Sequence, residues 1–231
     1  MQVDMQVALI ALGLFVVTFL LGSIPWGVII SRVFFHDDIR AHGSGNIGTT
    51  NAMRTFGRAG GISVFVLDFG KGLLSGALAL GAYVLMGRVG ADTGALLAAG
   101  AHACALLASR DTLLAIAFLG CVYGHIFSPW LGFRGGKGIA VAIGALFIVF
   151  GVVGAVIELA VFIVVVATTR YVSAGSIASA IACPFLALWI FWGAWPAWML
   201  CTIAALTVVW AHRENIARLR GGCERKIGDA R

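Results

Sequence analysis

From Met5 to Ser31 the chain carries no charged residue, and about 20 consecutive apolar residues are enough for a helix to cross the hydrocarbon core of a bilayer. Similar runs follow at about residues 60–86, interrupted by Asp68 and Lys71, and at 112–130. Between Lys137 and Arg170 the only charge is Glu158. That run is too long for one straight helix, and Gly151 and Gly154 break it into a shorter helix and a longer one. Residues 176–192 and 196–211 form a last pair around a tryptophan-rich turn. Charged residues make up 11% of the 231 and hydrophobic ones 61%, against about 25% charged in a soluble domain. Lipid is therefore the expected solvent, and the expected fold is all-α: one polytopic membrane bundle, residues 1–231, of about seven transmembrane helices.

The basic residues set the orientation, because cytoplasmic loops accumulate Lys and Arg. Arg32, Arg40, Arg54 and Arg58 lie in the first loop, Arg134 and Lys137 in the second, and Arg170 in the third. Six more basic residues, from Arg213 to Arg231, fill the tail. Seven crossings with the N-terminus outside and the C-terminus inside put all of them in the cytoplasm. Trp189, Trp192, Trp195 and Trp198 then form the outer interfacial belt. Residues 93–108 are apolar but short, and a re-entrant or interfacial helix there preserves the count. Residues 1–6 lack a basic stretch and the first apolar run is long, so no cleavable leader is expected. The chain has no visible internal repeat.

Four of the five cysteines sit inside apolar runs and none forms a C-x-x-C pair, so they read as buried hydrophobes. The histidines show no ligand spacing, and neither a metal nor another cofactor is expected. No basic stretch interleaves with stacking aromatics, which argues against nucleic acid as a partner.

Three loops combine glycines, hydroxyls, amides and fixed charges. In GSGNIGTTNAMR, Gly43 and Gly45 let the backbone turn with its N–H groups inward, a nest for anions. Ser44, Asn46, Thr49 and Asn51 add side-chain donors, and Arg54 can grip an oxyanion through two parallel hydrogen bonds. The alternative is a polar loop with Thr50 or Asn51 capping a helix. In GFRGGKGIA, residues 132–140, Gly135 and Gly136 precede a helix whose free N–H groups and dipole favour an anion, and Lys137 adds a point charge. It is not a P-loop: Leu131 stands where glycine is required and Gly138 where a hydroxyl would hold magnesium. The alternative is a snorkelling lysine at a helix start. In HRENIARLRGG, His212 and Asn215 share a helix face, while Arg213 and Arg218 read as anchors to anionic headgroups.

Lesser signals remain. Asp68 and Lys71, three apart, read as a mutual pair. Glu158 has no obvious partner. Ser173 and Ser176 lie on the same side as the three loops, and His125 reads as satisfying a backbone carbonyl rather than as catalytic.

Together GSIPWG (22–27), GSGNIGTTNAMR (43–54), LDFGKG (67–72), GHIFSPWLGFRGGKG (124–138), YVSAGSI (171–177) and HRENIARL (212–219) resemble the bacterial acyl-phosphate-dependent glycerol-3-phosphate acyltransferases nearly end to end. The resemblance implies a compact bundle of about seven spans in the bacterial cytoplasmic (inner) membrane, with its active site facing the cytoplasm. It implies transfer of a fatty acyl group from acyl phosphate to glycerol 3-phosphate, giving lysophosphatidic acid and inorganic phosphate. The expected partners are these two substrates, membrane lipid and, transiently, the enzyme that makes acyl phosphate. Residues 87–111 look like an insertion relative to the family.

Carried over by motif, the expected catalytic residues are Ser44, Arg54, Lys137, His212 and Asn215. The substrate-binding residues are Gly43, Gly45, Asn46, Asn51, Gly135, Gly136, Ser173 and Ser176. Arg54 and Lys137 would hold the two phosphates, with Ser44 and the Gly135 and Gly136 amides completing the cradle. His212 would act as the base or, preferably, orient the acceptor while a donor phosphate oxygen takes the proton. Three other readings differ in their signatures. A thioester-dependent acyltransferase would carry H-x4-D, absent here; an organic-phosphate transporter would carry paired repeats; a CDP-alcohol phosphotransferase would carry paired metal-binding aspartates.

Overall fold

The computed structural model describes residues 2–88 and 102–229, and no strand occurs among them. Among the described residues ten α-helices succeed one another: α1 (Gln2–Ser23), α2 (Trp26–Phe34), α3 (Thr49–Arg88), α4 (His102–Ala108), α5 (Arg110–Ile126), α6 (Ile139–Val149), α7 (Gly151–Thr169), α8 (Val172–Ile190), α9 (Trp195–Ala211) and α10 (Arg213–Arg220).

Helix α5 is the axis of the bundle. Every residue from Thr112 to Val122 is buried, and α1, α3, α6 and α9 all pack on it. The hydrophobic effect does not drive helices together in lipid, so close backbone approach between small residues takes its place. A Cβ on Gly22 would collide with the Cys121 carbonyl, and one on Gly124 with the Phe19 carbonyl. The seam between α3 and α6 repeats the device, with Gly72 against the Val141 carbonyl and Gly144 against that of Phe69. Outside this core Leu9, Leu12, Val152, Val153, Val164 and Phe185 are exposed, a surface suited to lipid rather than water. Trp192 and Trp195 lie exposed at the turn between α8 and α9, ring centroids 6.1 Å apart.

Two breaks shape the side that carries the loops. Pro25 interrupts the first span, and the Ile24 carbonyl accepts instead from Lys71 Nζ at 2.9 Å. In α3, Gly57 adopts φ 73° and ψ −165°, a conformation essentially confined to glycine. It separates the first turns, Thr49–Phe56, from the long remainder.

Among the described residues five helical segments are long and apolar enough to cross a membrane, or six if α9 and its continuation α10, bent by 52°, are counted as one span. The seventh expected crossing falls on α6, whose 11 residues reach only about 16 Å. Most of the segment expected to be re-entrant, 93–108, lies outside the described residues, as does much of the expected insertion at 87–111. Its end, α4, packs on α1 and α5 with Ala105 and Ala108 buried.

Candidate active site

The three polar loops and the tail close around one cavity of about 670 Å³. Ser44, Asn46, Thr49, Asn51, Arg54, Lys137, Ser173, Ser176, His212 and Asn215 all line it, as does Gly43. Gly45, Gly135 and Gly136 stand behind the lining.

The first loop is held by Asn51. Its Nδ2 donates to the carbonyls of Ile39, His42 and Asn46 at 3.2, 3.1 and 2.8 Å, and its Oδ1 accepts from the Ser44 amide at 3.1 Å. With every polar atom engaged, Asn51 shapes the loop and has no donor left for substrate, contrary to the expectation above. Gly43 and Gly45 take φ values of 60° and 68°, the left-handed turns that such a loop needs. Asn46 Oδ1 accepts from the Gly48 amide at 2.9 Å. A small core of Val28, Ile30, Ile39, Ile47, Ala52 and Val64 lies beneath. The loop presents the Ser44 hydroxyl and the first turn of α3, where Thr49 Oγ1 is buried without a partner.

The glycine-rich loop also differs from expectation. The Gly135 and Gly136 amides donate to the carbonyls of Ile126 and His125 at 2.9 and 3.0 Å, so they are not available to a phosphate. The glycines are there for close approach: a Cβ on Gly135 would meet the His125 carbonyl, and one on Gly136 the His125 Nε2. What faces the cavity is Lys137 with the N-terminus of α6 at Gly138, Ile139 and Ala140, whose first-turn amides have no partner within the helix. Burial, then repulsion from Arg218, lowers the Lys137 pKa. No carboxylate pairs with it among the described residues.

Beneath the loop, Lys71 Nζ lies 2.8 Å from Asp68 Oδ1 and 3.0 Å from His125 Nδ1. The Asp68–Lys71 pair is the expected one. His125 is not: its ring faces Lys71, and its main chain rather than its ring holds the glycine loop. Asp68 and His125 reach the cavity wall.

On the opposite side His212 stands at the bend between α9 and α10. Its Nδ1 lies 2.8 Å from the Val208 carbonyl; a carbonyl only accepts, so the proton is on Nδ1 and Nε2 keeps a free lone pair. Burial pushes the His212 pKa down to about 4, leaving it neutral at physiological pH. Asn215 Nδ2 donates to Glu224 Oε1 at 2.7 Å, and its own Oδ1 is buried without a partner. Ser176 donates within its helix to the Val172 carbonyl at 2.9 Å.

Two residues missed in the sequence complete the wall. Glu224 accepts from Ser173 Oγ, Asn215 Nδ2 and Arg218 Nε at 2.9, 2.7 and 2.6 Å. Burial pushes its pKa up, but the hydrogen bonds from Asn215, Arg218 and Ser173 outweigh that and hold it low. Arg218, expected at headgroups, instead lines the cavity. The tail reverses at Gly222, φ 67°, and is tied down where the Ile227 amide donates to the Arg170 carbonyl at 2.8 Å. The one available signal was an isolated acid in a basic, glycine-turned tail. By contrast, Arg213 stacks its guanidinium 4.2 Å from the Trp210 ring, as an interfacial residue would.

A second cavity of about 220 Å³ adjoins the first through the shared residues Phe65, Ile139 and Phe162. Phe69, Phe118, Leu146, Phe147 and Val208 make it almost wholly apolar.

An integral membrane bundle with a cationic, hydroxyl-lined cavity opening into an apolar slot belongs among enzymes that join water-soluble anions to lipid chains. The profile of the family described as Glycerol-3-phosphate acyltransferase matches residues 12–222. A glycerol-3-phosphate acyltransferase of Thermosynechococcus vestitus is 38% identical over 95% of this chain and 96% of its own. One of Geobacter sulfurreducens is 39% identical over 91% and 94%. The crystal structure of PlsY, an integral membrane glycerol 3-phosphate acyltransferase, in its glycerol 3-phosphate form superposes with a TM-score of 0.73 at 31% identity, covering 94% of this chain and 96% of that one. Its lysophosphatidic acid form gives 0.71 at 30% identity, covering 94% and 95%. The chain belongs to the glycerol-3-phosphate acyltransferase family, and it is an integral membrane acyltransferase.

Proposed function

We propose that the chain transfers a fatty acyl group from acyl phosphate to glycerol 3-phosphate at the cytoplasmic face of the bacterial inner membrane, releasing lysophosphatidic acid and inorganic phosphate. The observation that carries this reading is the joining of two cavities. One is lined by four cations, Arg54, Lys137, Arg218 and Arg225, and by the N-termini of α3 and α6; the other is almost wholly apolar. Two phosphates need that much positive charge in one place, and a fatty chain needs the slot beside it.

In the proposed mechanism, Arg54 and Lys137 with the Ser44 hydroxyl hold the phosphates, and the acyl chain lies in the apolar slot. The acceptor's second hydroxyl, the one that does not react, donates to His212 Nε2, which aims the attacking hydroxyl oxygen at the acyl carbonyl carbon. A new C–O bond forms, the C–O bond to the donor phosphate breaks, and the proton of the attacking hydroxyl passes to a phosphate oxygen. An imidazole held to a pKa of about 4 is a weak proton acceptor, so it orients the hydroxyl while the substrate supplies the base. Acyl phosphate is an activated anhydride, and positioning alone can contribute roughly 7–11 kcal/mol.

The test is conversion of labelled glycerol 3-phosphate by the purified protein in detergent. Lysophosphatidic acid and free phosphate are expected with palmitoyl phosphate and not with palmitoyl-CoA. Product only with the thioester would overturn the donor. Failure with both, together with uptake of label into reconstituted vesicles, would overturn the enzyme reading in favour of transport.

A further inference from the structure

The apolar slot contains one charged group that the mechanism does not use. Glu158, on α7, is 1% exposed and lines the slot. Its Oε2 accepts from Ser179 Oγ at 2.8 Å; its Oε1 is buried with no hydrogen-bond partner. Apart from Glu158, Ser179 and the Cys183 thiol, every side chain lining the slot is hydrocarbon or aromatic.

A carboxyl oxygen left unsatisfied among such neighbours costs free energy, and a contact that only tied α7 to α8 would give both oxygens a partner. Glu158 lies four residues along α7 from Phe162, which the two cavities share, so it sits about 6 Å deeper than the junction. Ser179 lies one turn below Ser176 on α8. The polar pair therefore meets a chain in the slot within the first half of its length.

We infer that Glu158, set against Ser179, selects acyl chains that carry a hydroxyl group in the first half of the chain. The inference rests on the reading of the slot as the acyl site. A plain methylene chain leaves Oε1 unsatisfied, whereas a chain hydroxyl satisfies it in either state of the carboxyl. It donates to the ionised form and accepts from the protonated one.

The test uses the purified full-length protein and a series of hydroxypalmitoyl phosphates in which the hydroxyl is walked along the chain, each compared with palmitoyl phosphate. One position near the middle of the first half should exceed the plain chain in kcat/KM by about tenfold or more, the span of a hydrogen bond to a charged group. In Glu158→Leu that ratio should fall to near one. Glu158→Gln should keep part of the preference. A flat series in the wild type, or a preference unchanged in Glu158→Leu, overturns the inference. Should Glu158→Leu fail to fold, the wild-type series and Glu158→Gln decide. If no acyl phosphate is turned over, the functional reading has failed rather than this one. The comparison is then made by displacing bound cis-parinaric acid with hydroxypalmitates or palmitate, where equal displacement overturns the inference.

Discussion

Lys137 and His212 are the two residues whose protonation bears on the reaction, and the cavity moves both pKa values the same way. Burial and the neighbouring Arg218 lower the Lys137 pKa, and phosphate binding requires its charged form. The KM for glycerol 3-phosphate should therefore rise with pH earlier than an ordinary lysine would dictate, and Lys137→Arg should move that rise to higher pH. A pH profile of KM for both proteins checks this, and coincident profiles would refute it. Lys137→Ala should raise KM about a hundredfold or abolish activity. His212→Gln keeps an acceptor but not a base: turnover within about tenfold of wild type is expected, whereas a lost general base would cost about 10²–10⁴. Some residue-scale features were legible in the sequence, such as the Asp68–Lys71 pair, because three-residue spacing on a helix enforces proximity. The meeting of Lys71 with His125 was not, since it depends on how α3 packs against α5. Nor was the engagement of Asn51 with three carbonyls, which arises only when the loop closes on itself.

At the scale of elements, the breaks and glycine seams decide where these residues stand. Gly57 has open space around it, so Gly57→Ala tests conformation alone. About 1–3 kcal/mol of destabilisation is expected from its backbone region, read as a lower thermal midpoint in detergent. The KM for glycerol 3-phosphate should also rise, because Arg54 lies one turn before the break. Gly144→Leu should be worse, forcing apart the seam where a Cβ already collides with the Phe69 carbonyl. Long apolar runs, broken in α7 only by Glu158, made α1, α5, α7 and α8 readable, since lipid allows little else there. The end of α6 after 11 residues was also marked, by Gly151 at φ 70°. The return of the tail was not: Gly222 turns it, but only the donors on α8 and α10 explain why Glu224 stays.

For the whole molecule, the account requires that a polar and an apolar cavity act as one site and that the acyl group, not the phosphoryl group, crosses between them. The class of fold followed from composition and the chemistry from motifs in order along the chain. The junction at Phe65, Ile139 and Phe162 needed the assembled bundle, because Phe65 on α3 is far in sequence from Ile139 and Phe162 on the consecutive helices α6 and α7. Which group crosses can be followed with palmitoyl phosphate carrying oxygen-18 in the bridge between carbonyl carbon and phosphorus. Attack at the carbonyl carbon predicts that the label leaves in inorganic phosphate while unlabelled acyl oxygen appears in lysophosphatidic acid. Label retained in released palmitate, with the phosphoryl group on the acceptor, would contradict acyl transfer and the account built on it.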